Sequence, residues 1–262
     1  MRGFAALLAE AVRDAIRRRI VIGIVAACLF SLMLLDSCTS CATGEVVVNG
    51  EARSLASLAG GLGVATLVVL GLWIVSLAGI LAADHLRQAL DDGSAQMSLA
   101  RPVARGTFVL ARLGGVLCIA YATGLLLLGA AAFLLATRNG LPAAPALGLG
   151  LACALACAVV ASLAMAASLW LSRIATVLLV MVSVAAVAFA NSAGLVREDL
   201  SGALGAIDRW GPPLATAMIA PLQVWLPELA LQAEPLALLL RLLVWTALGA
   251  IALGLGFRRL EL

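Results

Sequence analysis

Residues 58–83 read LAGGLGVATLVVLGLWIVSLAGILAA and contain no charged side chain. An apolar run of this length predicts a helix that can cross the hydrocarbon core of a bilayer. The whole chain agrees with this, since 64% of its 262 residues are hydrophobic, only 12% are charged and its mean hydropathy is +1.13. A soluble protein of this composition would lack the polar side chains needed to cover its surface. The sequence therefore predicts an all-α membrane protein.

Five further apolar runs are candidates for membrane-spanning helices, which makes six in all. The six predicted spans are residues 20–35, 58–83, 108–136, 145–171, 174–191 and 236–257. The first is short and follows a basic stretch, so a cleaved secretory signal peptide is an alternative interpretation of it. We expect a single transmembrane domain over residues 1–262, because no segment is long or polar enough to form a separate soluble domain.

The distribution of arginine orients these helices. All 17 basic residues are Arg; twelve fall at ends that are cytoplasmic when the N-terminus is inside, and five fall at the opposite ends. Because cytoplasmic loops carry an excess of basic residues, both termini are predicted to be cytoplasmic. We expect a multi-pass protein of the bacterial cytoplasmic (inner) membrane. The net charge of +3 is too small to indicate a nucleic-acid partner.

Two segments outside the spans have patterns of their own. Residues 1–19 place apolar side chains at helical spacing on one face and Glu10, Arg13 and Arg17 on another. This pattern predicts an amphipathic interfacial helix. Residues 193–235 form the largest outer segment, and its apolar stretch at 214–226 is interrupted by Pro221 and is too short to span. We expect re-entrant or interfacial helices there.

The largest cytoplasmic loop, residues 84–107, is the most informative of the polar segments. The helix before it should end near Gly93, and a short amphipathic piece with Met97 and Leu99 follows until Pro102. This pattern is typical of a short helix held parallel to the membrane, where it can contact a partner protein. From the residues alone, an ordinary solvated loop is the favoured alternative to such a helix.

The loop resembles the signature of the permease subunits of ABC transporters of the type-2 (ABC-2) export class. The residues that carry the resemblance are Asp84, Asp91, Asp92, Gly93, Ser94, Ser98, Leu99, Pro102, Val103 and Arg105. The stretch at residues 10–19, the C-terminal Phe257-Arg258-Arg259 and the six-helix layout are also similar to these permeases. Two positions depart from the pattern: Asp84 stands where Glu is commoner, and Ala104 where a small hydroxyl residue is usual.

The resemblance implies a transport subunit without a catalytic site of its own, and hence not an enzyme. Two copies would form a transmembrane homodimer, and separate ABC ATPase subunits, which hold the ATP and Mg, would dock beneath it. This chain would itself bind no cofactor. A short helix in the loop would couple it to the ATPase. The residues expected to contact the ATPase are Asp84, Asp91, Asp92, Gly93, Met97, Leu99, Pro102 and Arg105.

The substrate and the competing functions follow from what the spans contain. The predicted spans carry almost no charged side chain besides Arg241, so a lipid-like or amphipathic export substrate fits better than a sugar or an ion. An ion-coupled secondary transporter is the first alternative, although such proteins usually place charged groups inside their spans. A membrane anchor subunit of an envelope complex is the second alternative. A membrane-embedded enzyme is disfavoured, because we find no cluster of catalytic groups in the spans.

A few other residues are candidates for a site. Cys38 and Cys41 form a Cys-x-x-Cys on the outer side, which indicates either a disulfide or a metal ligand pair, and no second pair completes a metal site. His85 beside Asp84 is a proton-relay candidate or a residue near the ATPase interface. Arg241 either extends to the outer interface or faces the bundle as a substrate or lipid contact, and Asn191 is a similar candidate.

Overall fold

The structure is a computed structural model of the chain. It describes residues 2–16, 26, 29–30, 33, 45–48, 51–91, 93, 105–139, 142, 144–196, 201–225 and 234–259. The principal elements in these ranges, in chain order, are α1 (Arg2–Ile16), β1 (Glu45–Val48), β2 (Glu51–Ser54), α2 (Leu55–Asp91), α3 (Arg105–Asn139), α4 (Ala144–Ala167), α5 (Arg173–Val196), α6 (Gly202–Trp210), α7 (Leu214–Ile219), a 3-10 helix (Ala220–Trp225) and α8 (Pro235–Arg259).

Five of the described helices are long and apolar enough to cross a membrane: α2, α3, α4, α5 and α8. They cover the second to sixth predicted spans, except that α4 ends at Ala167, four residues before the predicted end of the fourth span. The chain therefore has the helical, multi-pass character that its composition predicts. The first predicted span, residues 20–35, lies for the most part outside the described residues, and only residues 26, 29, 30 and 33 of it are described, as helical.

One element departs from the all-α prediction. Strands β1 and β2 form an antiparallel hairpin in which Glu45 pairs with Ser54 and Val48 with Glu51. The local sequence explains this hairpin. The valines of β1 favour a strand, and the two residues between the strands are Asn49-Gly50. Asn-Gly flanked by such runs is a strong hairpin signal. The hairpin leads directly into α2 at Leu55.

The ends of the long helices follow from local sequence. Helix α2 ends at Asp91, and Gly93 has the left-handed φ of +69° that glycine adopts without a steric penalty. Between α4 and α5 the chain turns at Ser172. The Ser172 Oγ accepts a hydrogen bond from the Ala175 N–H at 3.4 Å, and its carbonyl accepts one from the Thr176 N–H at 2.9 Å. Ser172 is thus the N-cap that separates two helices whose apolar runs nearly merge.

Helix α4 lies at the centre of the bundle. Of its most apolar stretch 72% is buried, against 61% for α2, 44% for α3, 28% for α5 and 22% for α8. Many of its buried residues are alanine, and small side chains let neighbouring helices approach closely. One close approach is to α8, where a Cβ on Gly249 would collide with the Ser162 hydroxyl.

Helix α1 packs on α3. A Cβ on Gly115 would lie 2.7 Å from the Ala11 Cβ, and one on Gly114 would lie 2.9 Å from the Leu8 Cδ1. The glycine pair in α3 therefore provides the groove that receives α1, and Ala11 is fully buried there. Glu10 and Arg13 remain exposed on the other side of α1, as the amphipathic pattern of residues 1–19 predicts.

Candidate functional site

Ionisable side chains from three helices meet at one end of the bundle. Asp84 and His85 lie near the C-terminal end of α2, Arg112 lies in the first turns of α3, and Arg173 is the first residue of α5. We call these four residues the Asp84 cluster. Three of them are buried, with exposed fractions of 3% for Asp84, 1% for His85 and 6% for Arg112. Charged groups are rare at such positions unless they have partners.

Two contacts hold the Asp84 cluster together. The Arg173 Nε lies 2.6 Å from the Asp84 Oδ1, which forms an ion pair between α5 and α2. The Arg112 Nη1 lies 3.3 Å from the His85 Nε2 and connects α3 to α2. Because arginine can only donate, the His85 Nε2 is the acceptor in this contact. The cluster thus joins three helices through polar contacts.

Aromatic packing extends this connection to a fourth helix. The Arg112 guanidinium lies over the Phe108 ring, 5.4 Å from its centroid, in the geometry of a cation–π interaction. Phe108 in turn stacks on Phe257 near the end of α8, with ring centroids 6.2 Å apart and an interplanar angle of 29°. The ends of α2, α3, α5 and α8 therefore form one connected arrangement around buried charge.

The residues predicted to contact an ATPase are only partly within this region. Asp84 is in the cluster, whereas Asp91 is exposed and pairs with Arg87 of its own helix at 3.3 Å. Gly93 follows the end of α2, and Arg105 is the first residue of α3. Asp92, Met97, Leu99 and Pro102 lie outside the described residues, as do Cys38 and Cys41.

The sequence predicts Asp84 and its neighbour His85 as candidate site residues, but it does not predict that Arg112 and Arg173 join them. A usable signal is present, because Arg112 lies within the apolar run of α3 and Arg173 lies in the short break between two apolar runs. Their meeting depends on packing between distant helices, which no spacing rule gives.

A second polar group lies at the opposite end of α5. The Asn191 side chain, 1% exposed, donates from Nδ2 to the Asp208 Oδ1 at 2.9 Å and accepts from the Ala215 N–H at 3.2 Å. One amide thus connects α5 to α6 and to the first turn of α7. We call Asn191, Asp208, Gly211 and Arg241 the Asp208 cluster.

Arg241 completes the Asp208 cluster from α8. Its Nη2 donates to the Asp208 carbonyl at 2.6 Å and also to the Gly211 carbonyl. These carbonyls lie at the C-terminal end of α6, where backbone acceptors have no partner within the helix and a positive charge is favourable. The Trp245 Nε1 donates to the Trp210 carbonyl at 3.2 Å in the same region. Arg241 and Asn191, predicted as substrate or lipid contacts, here bind the segment between α5 and α8.

That segment enters the bundle. Helix α7 and the 3-10 helix bury Leu214, Ala215, Ala217, Met218, Ala220, Leu222 and Trp225. A Cβ on Gly71, in the middle of α2, would lie 2.8 Å from the Met218 Sδ, and one on Gly148 would lie 2.6 Å from the Pro221 Cβ. The Trp225 Nε1 donates to the Pro142 carbonyl at 3.2 Å. Residues 214–225 therefore form a short helical segment held within the bundle, which we call the inserted segment.

Of the described cysteines, Cys153 and Cys157 are buried in α4 and Cys118 is exposed on α3. Cys118, Cys153 and Cys157 are free thiols, and the Cys153 Sγ lies 3.8 Å from the Gly71 carbonyl oxygen. Within the described ranges, no three His, Cys, Asp or Glu side chains are grouped so that they could hold a metal ion. A comparison with models of known protein families and with characterised proteins finds no match to this chain.

Proposed function

We propose that this chain is the transmembrane permease subunit of an ATP-driven ABC transporter of the type-2 export class, in the bacterial inner membrane. The observation that carries the proposal is the resemblance of residues 84–105 to the signature of these permeases. The structure adds support, because the two helices that flank this stretch, α2 and α3, bring Asp84 and Arg112 into one charged cluster at the same end of the bundle.

The mechanism that follows divides the work between chains. A separate ABC ATPase subunit binds ATP and Mg and hydrolyses the nucleotide, and this chain has no catalytic role. Closure of the ATPase presses on the loop after Asp91, and α2 and α3 carry the displacement into the bundle. Two copies of this chain form the transmembrane pathway.

Helix α1 supports docking at the same end. Its apolar face is occupied by the glycine pair Gly114-Gly115 of α3, so the helix is fixed to the bundle while Glu10 and Arg13 stay exposed. An exposed charged face on a fixed helix suits contact with a soluble partner. Both this helix and the loop then face the ATPase.

The exported substrate is lipid-like or amphipathic. Apart from the Asp84 cluster and Arg241, the side chains in the described parts of the five long helices are mostly apolar. The few remaining charged groups lie near the ends of these helices. Such walls favour a molecule that moves from the bilayer rather than a hydrated sugar or ion.

The first test is co-expression with an ABC ATPase encoded beside this chain, followed by purification through a tag on this chain. We expect the ATPase to co-purify and to show vanadate-sensitive ATP hydrolysis in lipid. The charge reversals Asp92→Arg and Arg105→Glu should abolish docking or hydrolysis. Arg209→Glu, a charge reversal at an exposed residue of α6, is the matched control and should leave both intact. Failure of any ATPase to associate overturns the proposal.

The Asp84 cluster favours one alternative, an ion-coupled secondary transporter. Buried ionisable residues within membrane helices commonly mark ion or proton pathways, and Asp84, His85 and Arg112 are buried in α2 and α3. In that case the purified chain alone would move substrate into proteoliposomes when an ion or pH gradient is imposed. Transport that requires ATP and the ATPase subunit, with no response to such gradients, excludes this alternative.

A further inference from the structure

Helix α5 has polar connections to other helices at both of its ends. Only 28% of its most apolar stretch is buried, and the buried side chains between the two ends include Val180, which contacts α2, and Val184. Its first residue, Arg173, pairs with Asp84, and Asn191 near its other end bonds to Asp208 and to the Ala215 N–H. Arg173 and Asn191 are separated by about 27 Å along the helix axis.

Near Arg173, α5 is in direct contact with α2. A Cβ on Gly79 of α2 would lie 2.6 Å from the Val180 Cγ1, so the backbone of α2 approaches the α5 side chains with no free space between them. The ion pair from Arg173 to Asp84 lies one to two turns further along the same interface. Densely packed groups transmit displacement rather than absorb it. A shift of the Asp84 end of α2 must therefore displace this end of α5.

Near Asn191, α5 holds the inserted segment. The Asn191 amide binds Asp208 of α6 and the first turn of α7, and a Cβ on Gly194 would lie 2.7 Å from the Asp208 Oδ2. Residues 174–193 contain neither proline nor glycine, which are frequent causes of a sharp kink in a helix. Helix α5 can therefore act as a stiff rod between the Asp84 cluster and the inserted segment.

We propose that α5 transmits displacement of the Asp84 end of α2 to the inserted segment, residues 214–225, and that Arg173 and Asn191 are the positioning residues at its two ends. The inference rests on the proposed function only in that an ATPase supplies the displacement. The connection itself is a property of this chain. Coupling of this kind is a free energy shared between two sites, so a change at either end must be felt at the other.

The test is amide hydrogen exchange of the full chain in lipid nanodiscs, without any ATPase. Arg173→Gln removes the ion pair, and we expect exchange in residues 214–225 to become at least about fivefold faster, the lower end of typical coupling factors. Arg87→Gln is the matched control, because among the residues that the structure describes Arg87 pairs only with Asp91 of its own helix, at the same end of the bundle. It should leave exchange in residues 214–225 unchanged. Faster exchange confined to residues around Arg173 overturns the proposal.

A second variant keeps the proposal testable if Arg173→Gln does not fold. Exchanging the charges with Asp84→Arg and Arg173→Asp retains an ion pair and should restore slow exchange in residues 214–225. Asn191→Leu should loosen the inserted segment by itself and should remove any further effect of Arg173→Gln, since the rod is then released at its far end. Additive effects of the two substitutions would contradict the proposed connection, because independent sites add.

Measurements on the complex with the ATPase distinguish a failure of this inference from a failure of the proposed function. If the ATPase binds and hydrolyses ATP with the Arg173→Gln chain but transport is lost, both proposals stand. If hydrolysis and transport are both unaffected, the inference fails while the permease assignment survives. If no ATPase binds the wild-type chain, the permease assignment fails, and the exchange experiment alone decides whether α5 connects the two ends.

Discussion

Arg241 shows how a single charged residue is accommodated inside an apolar helix. An isolated charge at this depth is costly, but here the guanidinium binds the carbonyls of Asp208 and Gly211 at the end of α6. The sequence predicts only that an arginine near the start of the last span needs a polar environment. It does not show whether water, lipid or backbone provides it, because the acceptors lie about 30 residues earlier in the chain.

Replacing Arg241 by leucine should destabilise the protein. The substitution removes two charge-assisted hydrogen bonds, each of a kind that contributes about 1.5–3 kcal/mol, and leaves the C-terminal carbonyls of α6 without these donors. We expect a lower unfolding temperature in detergent micelles and earlier proteolysis within residues 201–225. Arg209→Leu, which changes an exposed arginine of α6, should alter the unfolding temperature much less. Equal effects of the two substitutions would show that Arg241 does not hold this segment.

Among the contacts between helices, the crossing of α4 and α8 has Gly249 at a point of close backbone contact. The Gly249 backbone lies against Ser162, whose hydroxyl donates to the Val159 carbonyl of its own helix at 2.9 Å. A helix crossing of this kind is stabilised by close backbone contact, which any larger side chain prevents. Helix α8 is otherwise mostly exposed, so the contact at Gly249 is an important part of its attachment.

Gly249→Val should therefore loosen α8, and Gly254→Val should not. A side chain at Gly254 would meet nothing within 4 Å, while the change in helix propensity is the same at both positions. Overpacking at Gly249 should lower the stability by about 1–3 kcal/mol, which is measurable as an earlier unfolding transition in a denaturant titration. Similar unfolding transitions for the two variants would contradict the assignment of a close crossing.

Local patterns predict some of these elements well and others not at all. Apolar runs locate α2 to α5 and α8, Gly93 marks the end of α2, and Ser172 marks the break before α5, because each signal acts within a few residues. The β1–β2 hairpin contradicts the all-α prediction, although Asn49-Gly50 between the two strands indicates it. The sequence does not predict how deeply residues 214–225 enter the bundle, because the contact of Met218 with Gly71 depends on the packing of distant helices.

For the whole molecule, the two polar clusters define two opposite ends. Asp84 and Asp208 are joined to different ends of the same helix, α5, and that helix is long enough to cross a bilayer. Of the residues predicted for the site, Asp84, Asn191 and Arg241 lie in these clusters. His85, Arg112 and Arg173 could not be assigned to the Asp84 cluster from the sequence, because three separate helices supply the members.

The orientation of the molecule can be measured by cysteine labelling in cells, on a chain whose six native cysteines are replaced. Ala206→Cys, on the exposed face of α6, should react with a membrane-impermeant maleimide in intact cells. Gln88→Cys, near the end of α2, should react only after the cells are permeabilised. Arg258→Cys should behave like Gln88→Cys, because the two residues lie at the same end of the bundle. Gly256 packs against Trp170 at the turn between α4 and α5, and Arg173 at the start of α5 pairs with Asp84 of α2.

Each pattern of labelling has a definite meaning, because α5 fixes the relation between the two ends. Labelling of Ala206→Cys alone in intact cells places the Asp84 cluster and the loop after Asp91 in the cytoplasm, where an ATPase can reach them. The reverse pattern places that loop outside, and the permease proposal then fails whatever its sequence resembles. Labelling of both positions from one side would mean that α5 does not cross the membrane, despite a length of 24 residues, which is about 36 Å of helix.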